Sequence, residues 1–179
     1  MSCIDNHLSL PIVTSRLRIR ECIRTDMRIW SALFRSKKAR KYLNGPLKQT
    51  AQQWWDGQKE HFGEVVQVLT IASCESNEVV GVCGFFSAGV PHVWETWLML
   101  RVKFWKKSIG VEVTSALVSA AFTSLAAKRV TAIIDPTNQA SINVITKLGF
   151  SFVSKYSDSA SWQHGHHVYA VEPHTYVRK

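Results

Sequence analysis

A long predicted helix that lacks charged residues over most of its length restricts the possible fold of this chain more than any other segment. Its pattern predicts a helix over residues 108–127, and no Asp, Glu, Lys or Arg lies between Glu112 and Lys128. A helix that is apolar on most of its surface has to be covered by the rest of the chain. Strands are predicted immediately before and after it, over 92–100 and 129–134, so helix and sheet must pack together.

The other elements complete the order. Alternating apolar and polar residues predict a first strand over 16–22, and Thr25–Asp26 and Thr50 precede two segments with apolar residues at helical spacing. A short helix over 140–148 is ended by Gly149. Further strands are predicted over 65–72, 79–86, 150–157 and 167–171. The result is a single α/β (α+β) domain, residues 1–179, with a mixed sheet and four helices.

Composition agrees with one globular domain. The chain has 179 residues, 46% of them hydrophobic and 20% charged, which excludes a mainly disordered or fibrous protein. No run of about 18 apolar residues is present, and the first residues have neither a basic head nor a long apolar run. We therefore expect no membrane span, no secretory signal and a cytoplasmic location. The scattered cysteines form no CxxC pair and are expected to be reduced and mostly buried: Cys3, Cys22, Cys74 and Cys83.

The positive charge is concentrated in the first quarter of the chain. Residues 1–48 hold 11 of the 22 Lys and Arg residues and three acidic ones, so they carry +8 of the total +9. Two interpretations remain open. The segment is either a solvated basic face or a surface that attracts an anionic partner, such as an acidic protein, RNA or an anionic substrate.

The turn before the uncharged helix contains small and basic residues. Ser108 and Gly110 leave room for backbone N–H groups to converge on an anion, and the start of a helix adds partial positive charge. Lys106 and Lys107 add full charge. A pyrophosphate fits such a turn. An ordinary helix start would carry the same small residues, so the turn alone leaves both interpretations open.

Two further segments have both a structural and a chemical interpretation. Asn138 can cap the helix 140–148, and Ser141 can be a surface hydroxyl on its first turn. Glu95, inside an aromatic strand, either faces solvent or is desolvated in a cleft, which would raise its pKa and suit it as a base. The following tryptophans belong either to the core or to a substrate cage: Trp30, Trp54, Trp55, Trp94 and Trp97.

Taken together, these segments resemble the GNAT superfamily of acyl-CoA N-acetyltransferases. Within it they look like the RimJ/RimL-like branch, which acetylates the N-termini of ribosomal proteins. Residues 14–20 match that branch's TxRLxLR strand, 79–84 its xIGxxG strand, and Glu95 the Glu of its EIGYWL strand. Residues 104–113 match YWGKGYATEA, and 138–150 match NxxSxxxLxKLGF. The resemblance spans residues 10–172.

The resemblance implies the GNAT fold, a mixed and mostly antiparallel sheet of six to seven strands flanked by four helices. Its fourth strand splays from the fifth, and acetyl-CoA would lie in the gap. The pyrophosphate would sit on the turn 106–111, and the pantetheine arm would pair with the strand edge at 100–102. The implied cofactor-binding residues are Leu100, Arg101, Val102, Lys106, Lys107, Ser108, Ile109, Gly110, Val111, Asn138 and Ser141.

It also implies two catalytic residues and no metal. Glu95, acting through a water, would be the base that keeps the attacking amine neutral. Ser141 would protonate or hydrogen-bond the departing CoA thiolate, while Asn138 holds the pantetheine arm. The cluster of His164, His166 and His167 is interpreted as a polar hairpin tip rather than a metal site.

The acceptor is an amine whose identity the resemblance leaves open. The basic first border of the acceptor groove favours an acidic protein or peptide N-terminus, or a negatively charged small amine, over a polyamine or aminoglycoside. We expect a monomer or a homodimer that contacts nucleic acid only by way of the ribosome. Ser108 and Lys106 stand where the family has glycine, and Leu98–Met99 where it has Tyr-Trp. Two alternatives therefore remain: an acyl-CoA-binding protein with weak or no catalysis, and a basic RNA- or ribosome-binding module.

Overall fold

The computed structural model describes residues 8–62 and 67–179. Eight strands in these residues form one sheet in the order β1-β2-β3-β4-β5-β6-β8-β7. Every neighbouring pair is antiparallel except β5 and β6, which run parallel. The strands are β1 Ile12–Val13, β2 Leu17–Glu21, β3 Gln67–Ser73, β4 Val79–Ser87, β5 Val93–Leu100, β6 Arg129–Ile134, β7 Ser151–Lys155 and β8 His167–Val171.

The predicted α/β class, the mixed and mostly antiparallel sheet and the four flanking helices are confirmed. The sheet has one strand more than expected, because Ile12–Val13 pairs with Arg18 and Ile19 of β2. A two-residue strand is too short to show alternation in a sequence. Positions 65 and 66 of the predicted strand 65–72 lie outside the described residues. The helices are α1 Met27–Phe34, α2 Ala51–Phe62, α3 Ile109–Ser124 and α4 Gln139–Thr146.

The helices cover the two faces of the sheet and define two cores. On one face α3 packs on the sheet through fully buried residues such as Val113, Leu117 and Val118. On the other face α1 packs Trp30 and Phe34 into a second cluster. Burial of an apolar side chain of this size stabilises a fold by about 1.5–3 kcal/mol. The uncharged stretch of α3 is explained by this burial.

A polar network fixes the start of α1 against the sheet. Trp30 donates its indole N–H to the Thr70 hydroxyl at 3.1 Å, and Thr70 donates to Asp26 at 2.9 Å. Arg20 also donates to the Asp26 carboxylate at 2.6 Å. Burial opposes the charge of Asp26, but these hydrogen bonds outweigh it and lower the pKa of the carboxyl. The ionised Asp26 therefore ties α1, β2 and β3 together.

The splay predicted between the fourth and fifth strands is confirmed, and it lies between β5 and β6. The parallel ladder pairs Val93 with Arg129, Trp94 with Val130 and Glu95 with Thr131. Beyond Glu95, β5 continues to Leu100 in pairing with β4 alone. The two parallel strands thus separate at Glu95 and leave one edge of β5 open.

The three cysteines in the described residues differ in their exposure. Cys83 is buried and Cys22 half-buried, but Cys74 is exposed in the turn after β3, so the expectation of mostly buried thiols is wrong for Cys74. All three are free thiols; Cys3 lies outside the described residues.

Within residues 8–62 and 67–179, no helix is long and apolar enough to cross a membrane.

Candidate active site

Glu95 lies at the vertex where β5 and β6 separate. Its cross-strand partner in β4 is Phe86, and Trp97 follows on the same face of β5. The side chain is partly buried, and burial raises the pKa of Glu95 to about 7. Of the two interpretations of this residue, desolvation in a cleft is the one that the structure supports.

An aromatic cluster forms the surroundings of Glu95 on the face covered by α1 and α2. The Phe86 and Trp97 rings stack with centroids 5.6 Å apart, and Trp54 of α2 meets Trp97 edge-on at 5.9 Å. The Trp97 Nε1 atom is buried and has no hydrogen-bond partner among the described residues. Low polarity around Glu95 follows from these rings and explains its raised pKa.

The other tryptophans divide between the two cores. Trp30 is fully buried in the second core, whereas Trp94 contacts Phe85 of the first core at 6.3 Å between centroids. They belong to the core and not to a substrate cage. The side chain of Trp55 lies outside the described set.

The open edge of β5 exposes alternate backbone groups. Arg101 N–H donates to Val80 of β4, and Val93 C=O accepts from Ala88, so odd-numbered residues bond to β4 at both ends of the ladder. In an antiparallel ladder the intervening residues point their N–H and C=O groups to the opposite edge. Thr96 and Leu98 therefore face the gap. Leu100 lies five residues beyond Glu95 along the strand, a distance of about 17 Å.

At the end of this edge, carbonyl groups already have partners. The Trp105 indole N–H donates to Leu100 C=O at 3.0 Å, and the Trp105 backbone N–H donates to Val102 C=O at 3.1 Å. The Arg101 side chain donates to Val79 C=O at 2.6 Å. An added strand could therefore meet this end of the edge through the N–H groups of Leu100 and Val102, and the free carbonyls lie upstream at Thr96 and Leu98. The expectation that Arg101 pairs with the pantetheine arm is wrong for its backbone, because its N–H donates to Val80 C=O and its C=O accepts from the Phe104 N–H.

The turn before α3 has an unusual backbone. Lys106 and Ser108 have φ values of +60° and +58°, in the left-handed region that favours glycine. The Ser108 side chain makes no capping hydrogen bond. Glu112 N–H is bonded to Ser108 C=O, so the amides of Ile109, Gly110 and Val111 precede the first intrahelical bond. Three N–H groups are thus left for an anion at the helix start.

Gly110 has a packing role as well as a place in this turn. A Cβ added to it would lie 3.3 Å from Val144 of α4. The glycine allows α3 and α4 to approach each other closely. The two helices follow the neighbouring parallel strands β5 and β6, so their starts lie at the same end of the sheet.

The start of α4 is capped by its own residues. Asn138 accepts a hydrogen bond from the Ser141 N–H at 3.2 Å through its side-chain oxygen. The structure therefore supports the interpretation of Asn138 as a helix cap. Its role in holding a pantetheine arm stays a prediction. Ser141 is partly buried on the first turn of α4. Its role as a proton donor also stays a prediction.

The basic segment, residues 35–41, lies near the turn before α3 and near Asp135. Lys38 Nζ lies 5.9 Å from the centre of the Trp105 ring, beside the turn before α3. Hydrogen bonds from Thr137, together with the nearby charge of Lys41, lower the pKa of Asp135, which follows β6. The segment therefore reaches from the end of β5 to the end of β6.

Arg40 is an exception within this segment. It donates to the carbonyls of Gly45 and Leu43 at 2.5 and 2.6 Å, and burial lowers the pKa of its guanidinium. Arg40 therefore supports its own loop, and its guanidinium is less exposed than the neighbouring lysines. Lys37, Lys38 and Lys41 are exposed.

The histidines lie in and next to the loop between β7 and β8. His166 is 4.0 Å from Asp135, and His167 packs edge-on against Phe152 at 5.0 Å. In the described part of the chain, no three His, Cys, Asp or Glu side chains are close enough to hold a metal ion.

Arg16 is a residue of this region that sequence reasoning missed. It lies in the turn between β1 and β2, yet it donates to Lys107 C=O at 3.1 Å and to Glu112 at 2.7 Å. The strand motif at residues 14–20 includes it, but nothing in that motif indicates a contact 91 residues away. A cleft of about 480 Å³ lies nearby between residues 12–15 and the outer face of α3, and none of the predicted site residues lines it.

Comparison with known proteins agrees with this geometry. Residues 16–151 match the acetyltransferase (GNAT) domain family, and the chain therefore belongs to that family. It is 26% identical over 148 residues to the uncharacterized protein YkkB of Bacillus subtilis. This alignment covers 79% of this chain and 85% of that protein.

Two solved structures from Vibrio cholerae share the fold. A putative ribosomal-protein-serine acetyltransferase superposes with a TM-score of 0.77 at 16% identity, covering 92% of this chain and 98% of that one. A spermidine N-acetyltransferase in complex with CoA and spermine has a TM-score of 0.76 at 12% identity, covering 90% and 98%. At these identities the likeness establishes the fold alone.

Proposed function

We propose that this protein is an acetyl-CoA-dependent N-acetyltransferase that acetylates a primary amine. One observation carries the proposal. The gap between β5 and β6 begins at a carboxyl group whose pKa is raised to about 7, and at its other end lies a helix start whose amides are uncapped. In this proposal, the base and the anion site would lie at opposite ends of one strand edge.

The gap would hold acetyl-CoA as the acetyl donor. Its pyrophosphate would be bound by the amides of Ser108, Ile109, Gly110 and Val111, with the charges of Lys106 and Lys107. Its pantetheine amides would pair with the open edge of β5 from Leu100–Val102 back toward Thr96. Asn138 and Ser141, at the start of α4, would border the arm. The neighbour crystallised with CoA supports this choice of cofactor.

The chemistry would follow from the position of Glu95. An amine attacks the thioester carbonyl only when neutral, and the pKa of an α-amino group is about 7.7–8.0. Glu95, through a water, would take the proton from the amine. A β5 backbone N–H would stabilise the oxyanion formed as the N–C bond forms. The C–S bond would then break, and Ser141 would donate a proton or a hydrogen bond to the CoA thiolate.

The acceptor we propose is an acidic protein or peptide N-terminus, in keeping with the RimJ/RimL-like branch. Lys38, beside Trp105 after β5, and Lys41, near Asp135 after β6, would attract such an acceptor. A cationic polyamine would be repelled. The neighbour that is a putative ribosomal-protein-serine acetyltransferase fits this class of acceptor. Free thiols at Cys22, Cys74 and Cys83 fit a cytoplasmic location.

The catalytic roles are tested with Glu95→Gln and Ser141→Ala. Below pH 7 the wild-type carboxyl is protonated, so we expect the rate to rise through about pH 7. Glu95→Gln should remove the inflection near pH 7, leave only the rise due to the amine at about pH 7.7–8.0, and lower turnover by about 100-fold between pH 7 and 8. Ser141→Ala should lower turnover by roughly 10- to 1000-fold and leave CoA affinity unchanged.

Two variants control for unspecific effects. Glu21→Gln removes an exposed carboxylate at the end of β2, and Thr146→Ala removes a hydroxyl at the far end of α4. Both should keep wild-type turnover and pH dependence. If Glu95→Gln and Ser141→Ala also keep them with a good acceptor, the assigned roles are wrong.

The acceptor class is tested by reversing the charge of the basic segment. Lys38→Glu with Lys41→Glu should raise the KM for an acidic peptide about tenfold and spare the KM for acetyl-CoA. The effect should shrink as salt rises above 0.1 M, where the Debye length is about 10 Å. Lys128→Glu with Lys147→Glu, both exposed elsewhere, changes the net charge equally and should have little effect.

Two other results would favour the alternative functions. Tight CoA binding without turnover on any amine would indicate an acyl-CoA-binding protein. The strained turn at Lys106 and Ser108 is the structural reason to test for this outcome. A salt-sensitive gel shift with RNA but no consumption of thioester would indicate a ribosome- or RNA-binding module. Efficient acetylation of spermidine, indifferent to Lys38 and Lys41, would exclude the acidic acceptor.

A further inference from the structure

Arg16 joins the turn between β1 and β2 to the turn that begins α3. Its Nη1 donates to Lys107 C=O at 3.1 Å, and its Nε donates to Glu112 at 2.7 Å. Nη2 lies 2.5 Å from the same carboxylate. The guanidinium therefore holds a backbone carbonyl and a helix side chain at once, with the fixed geometry of its planar fork.

The bond to Lys107 C=O sets the direction of the next amide. A trans peptide is planar, and its N–H points away from its C=O. The only cis peptide in the described residues is Leu10–Pro11, so the peptide between Lys107 and Ser108 is trans. With the carbonyl turned toward Arg16, the Ser108 N–H is turned away from it. The amides of Ile109 to Val111 continue from there into α3.

The backbone of this turn requires outside contacts. Lys106 and Ser108 both have positive φ, and a left-handed conformation costs a residue with a side chain about 1–2 kcal/mol. Such conformations persist where surrounding contacts enforce them. Among the described residues, Arg16 is the side chain that bonds to the backbone between these two positions.

Arg16 also balances a charge at the helix start. Glu112 lies on the first turn of α3 and accepts hydrogen bonds from Thr14 and Arg16. Burial opposes its charge, but these bonds outweigh burial and lower its pKa, so the carboxylate is ionised at neutral pH. An unpaired carboxylate there would repel an anion at the same helix end.

We infer that Arg16 is a positioning residue for cofactor binding: it fixes the strained turn at Lys106–Ser108 so that the amides can bind the pyrophosphate, and it neutralises Glu112 beside them. This inference rests on the proposed function. It adds a residue from a distant turn to the anion site, and it predicts an effect on cofactor affinity rather than on the chemical step.

The test measures CoA binding by calorimetry and steady-state kinetics in parallel. Arg16→Met should raise the Kd for CoA and the KM for acetyl-CoA about tenfold, with kcat within about twofold of wild type. Arg16→Lys keeps the charge without the fork and should restore only part of the affinity. Arg129→Met is the matched control, because it removes an exposed Arg–Glu pair with the same 2.5 Å separation. Arg129 is the first residue of β6 and lies at the end of that strand away from the start of α4.

A rescue variant separates positioning from general stability. Ser108→Gly takes the positive φ without strain, so in the Arg16→Met background it should recover part of the lost CoA affinity. A merely structural loss, seen as a lower Tm with kcat falling together with affinity, would overturn the inference, as would no rescue. If Arg16→Met does not fold, Arg16→Lys decides: unchanged CoA affinity would overturn the inference.

The two proposals fail in different ways. A wild-type protein that binds no CoA would refute the proposed function itself. A wild-type protein that binds CoA, with Arg16→Met and Arg16→Lys binding it equally well, would refute only the role of Arg16.

Discussion

The starts of α3 and α4 lie at the same end of the sheet but are built differently. Ser108 precedes α3 with a left-handed backbone and makes no capping bond, so the first amides of α3 are free. Asn138 precedes α4 and accepts the Ser141 N–H at 3.2 Å. A side chain closes one helix start, and the other remains open to a ligand.

This difference divides the two helices by role. The far end of α4 is closed as well, since Gly149 has φ of +88° and lies under the C-terminal segment, where Val177 N–H donates to Leu148 C=O at 3.1 Å. Changes that remove the Asn138 cap or crowd Gly149 should therefore affect stability. Changes at the start of α3 should affect anion binding, because the N–H groups of its first residues precede the first intrahelical hydrogen bond and are left for a ligand.

The largest effect is expected at the closed end of α4. A Cβ at Gly149 would lie 2.1 Å from Thr175 C=O, in addition to the strain of its positive φ. Gly149→Ala should lower the free energy of unfolding by about 3 kcal/mol or more, measured by urea denaturation. Gly165→Ala is the matched control, with φ of +80° and no atom within 4 Å, and should lose only about 1 kcal/mol. Equal losses would mean that the C-terminal segment does not crowd Gly149.

The next effect compares the two helix starts directly. Ser108→Asp places a carboxylate beside the open amides of α3 and should weaken CoA binding roughly 100-fold, equivalent to about 2.7 kcal/mol. Asn138→Asp adds the same charge to α4 but caps the helix as well as Asn does, so its stability should not change. Its CoA affinity should fall by much less than that of Ser108→Asp. Similar losses of CoA affinity for both would remove the distinction between the two starts.

The smallest effect is expected from relieving the strained turn. Ser108→Gly should stabilise the protein by about 0.5–1 kcal/mol, because glycine adopts positive φ without a steric penalty. CoA affinity should stay the same or tighten slightly. Thermal unfolding and calorimetry report the two quantities separately. A destabilised Ser108→Gly would mean that the serine side chain supports the turn in another way. Gly110→Trp is less informative, since Val144 lies 3.3 Å from a Cβ there and α4 would also be displaced.

Much of the fold follows from local patterns in the sequence. The uncharged stretch 113–127 marks the buried helix, alternation marks β2, and Gly149 marks the end of α4. These features are local because side-chain periodicity, capping and positive φ each involve residues close in sequence. The order of strands and helices, and with it the mixed sheet, follows from the same signals, whereas the structure identifies β5 and β6 as the parallel pair.

Other properties depend on contacts between distant segments. Whether Glu95 faces solvent or a cleft is decided by Phe86, Trp97 and Trp54, which come from three different elements. Desolvation is a property of that assembled environment, so no pattern around residue 95 could give its raised pKa. In the same way, the sequence shows Arg40 only as one more basic residue, whereas in the structure its half-buried guanidinium donates to the carbonyls of its own loop.

The sequence alone determined every helix and strand except the two-residue β1, their order, the family resemblance and the places where polar residues interrupt an apolar pattern, because each of these is encoded within a few consecutive residues. Only the tertiary structure decided which helix start stays open and which is capped, and it alone brought Arg16 to a turn 91 residues away. The reason is physical: hydrogen-bond satisfaction and burial depend on what is close in space, and chain separation does not specify that.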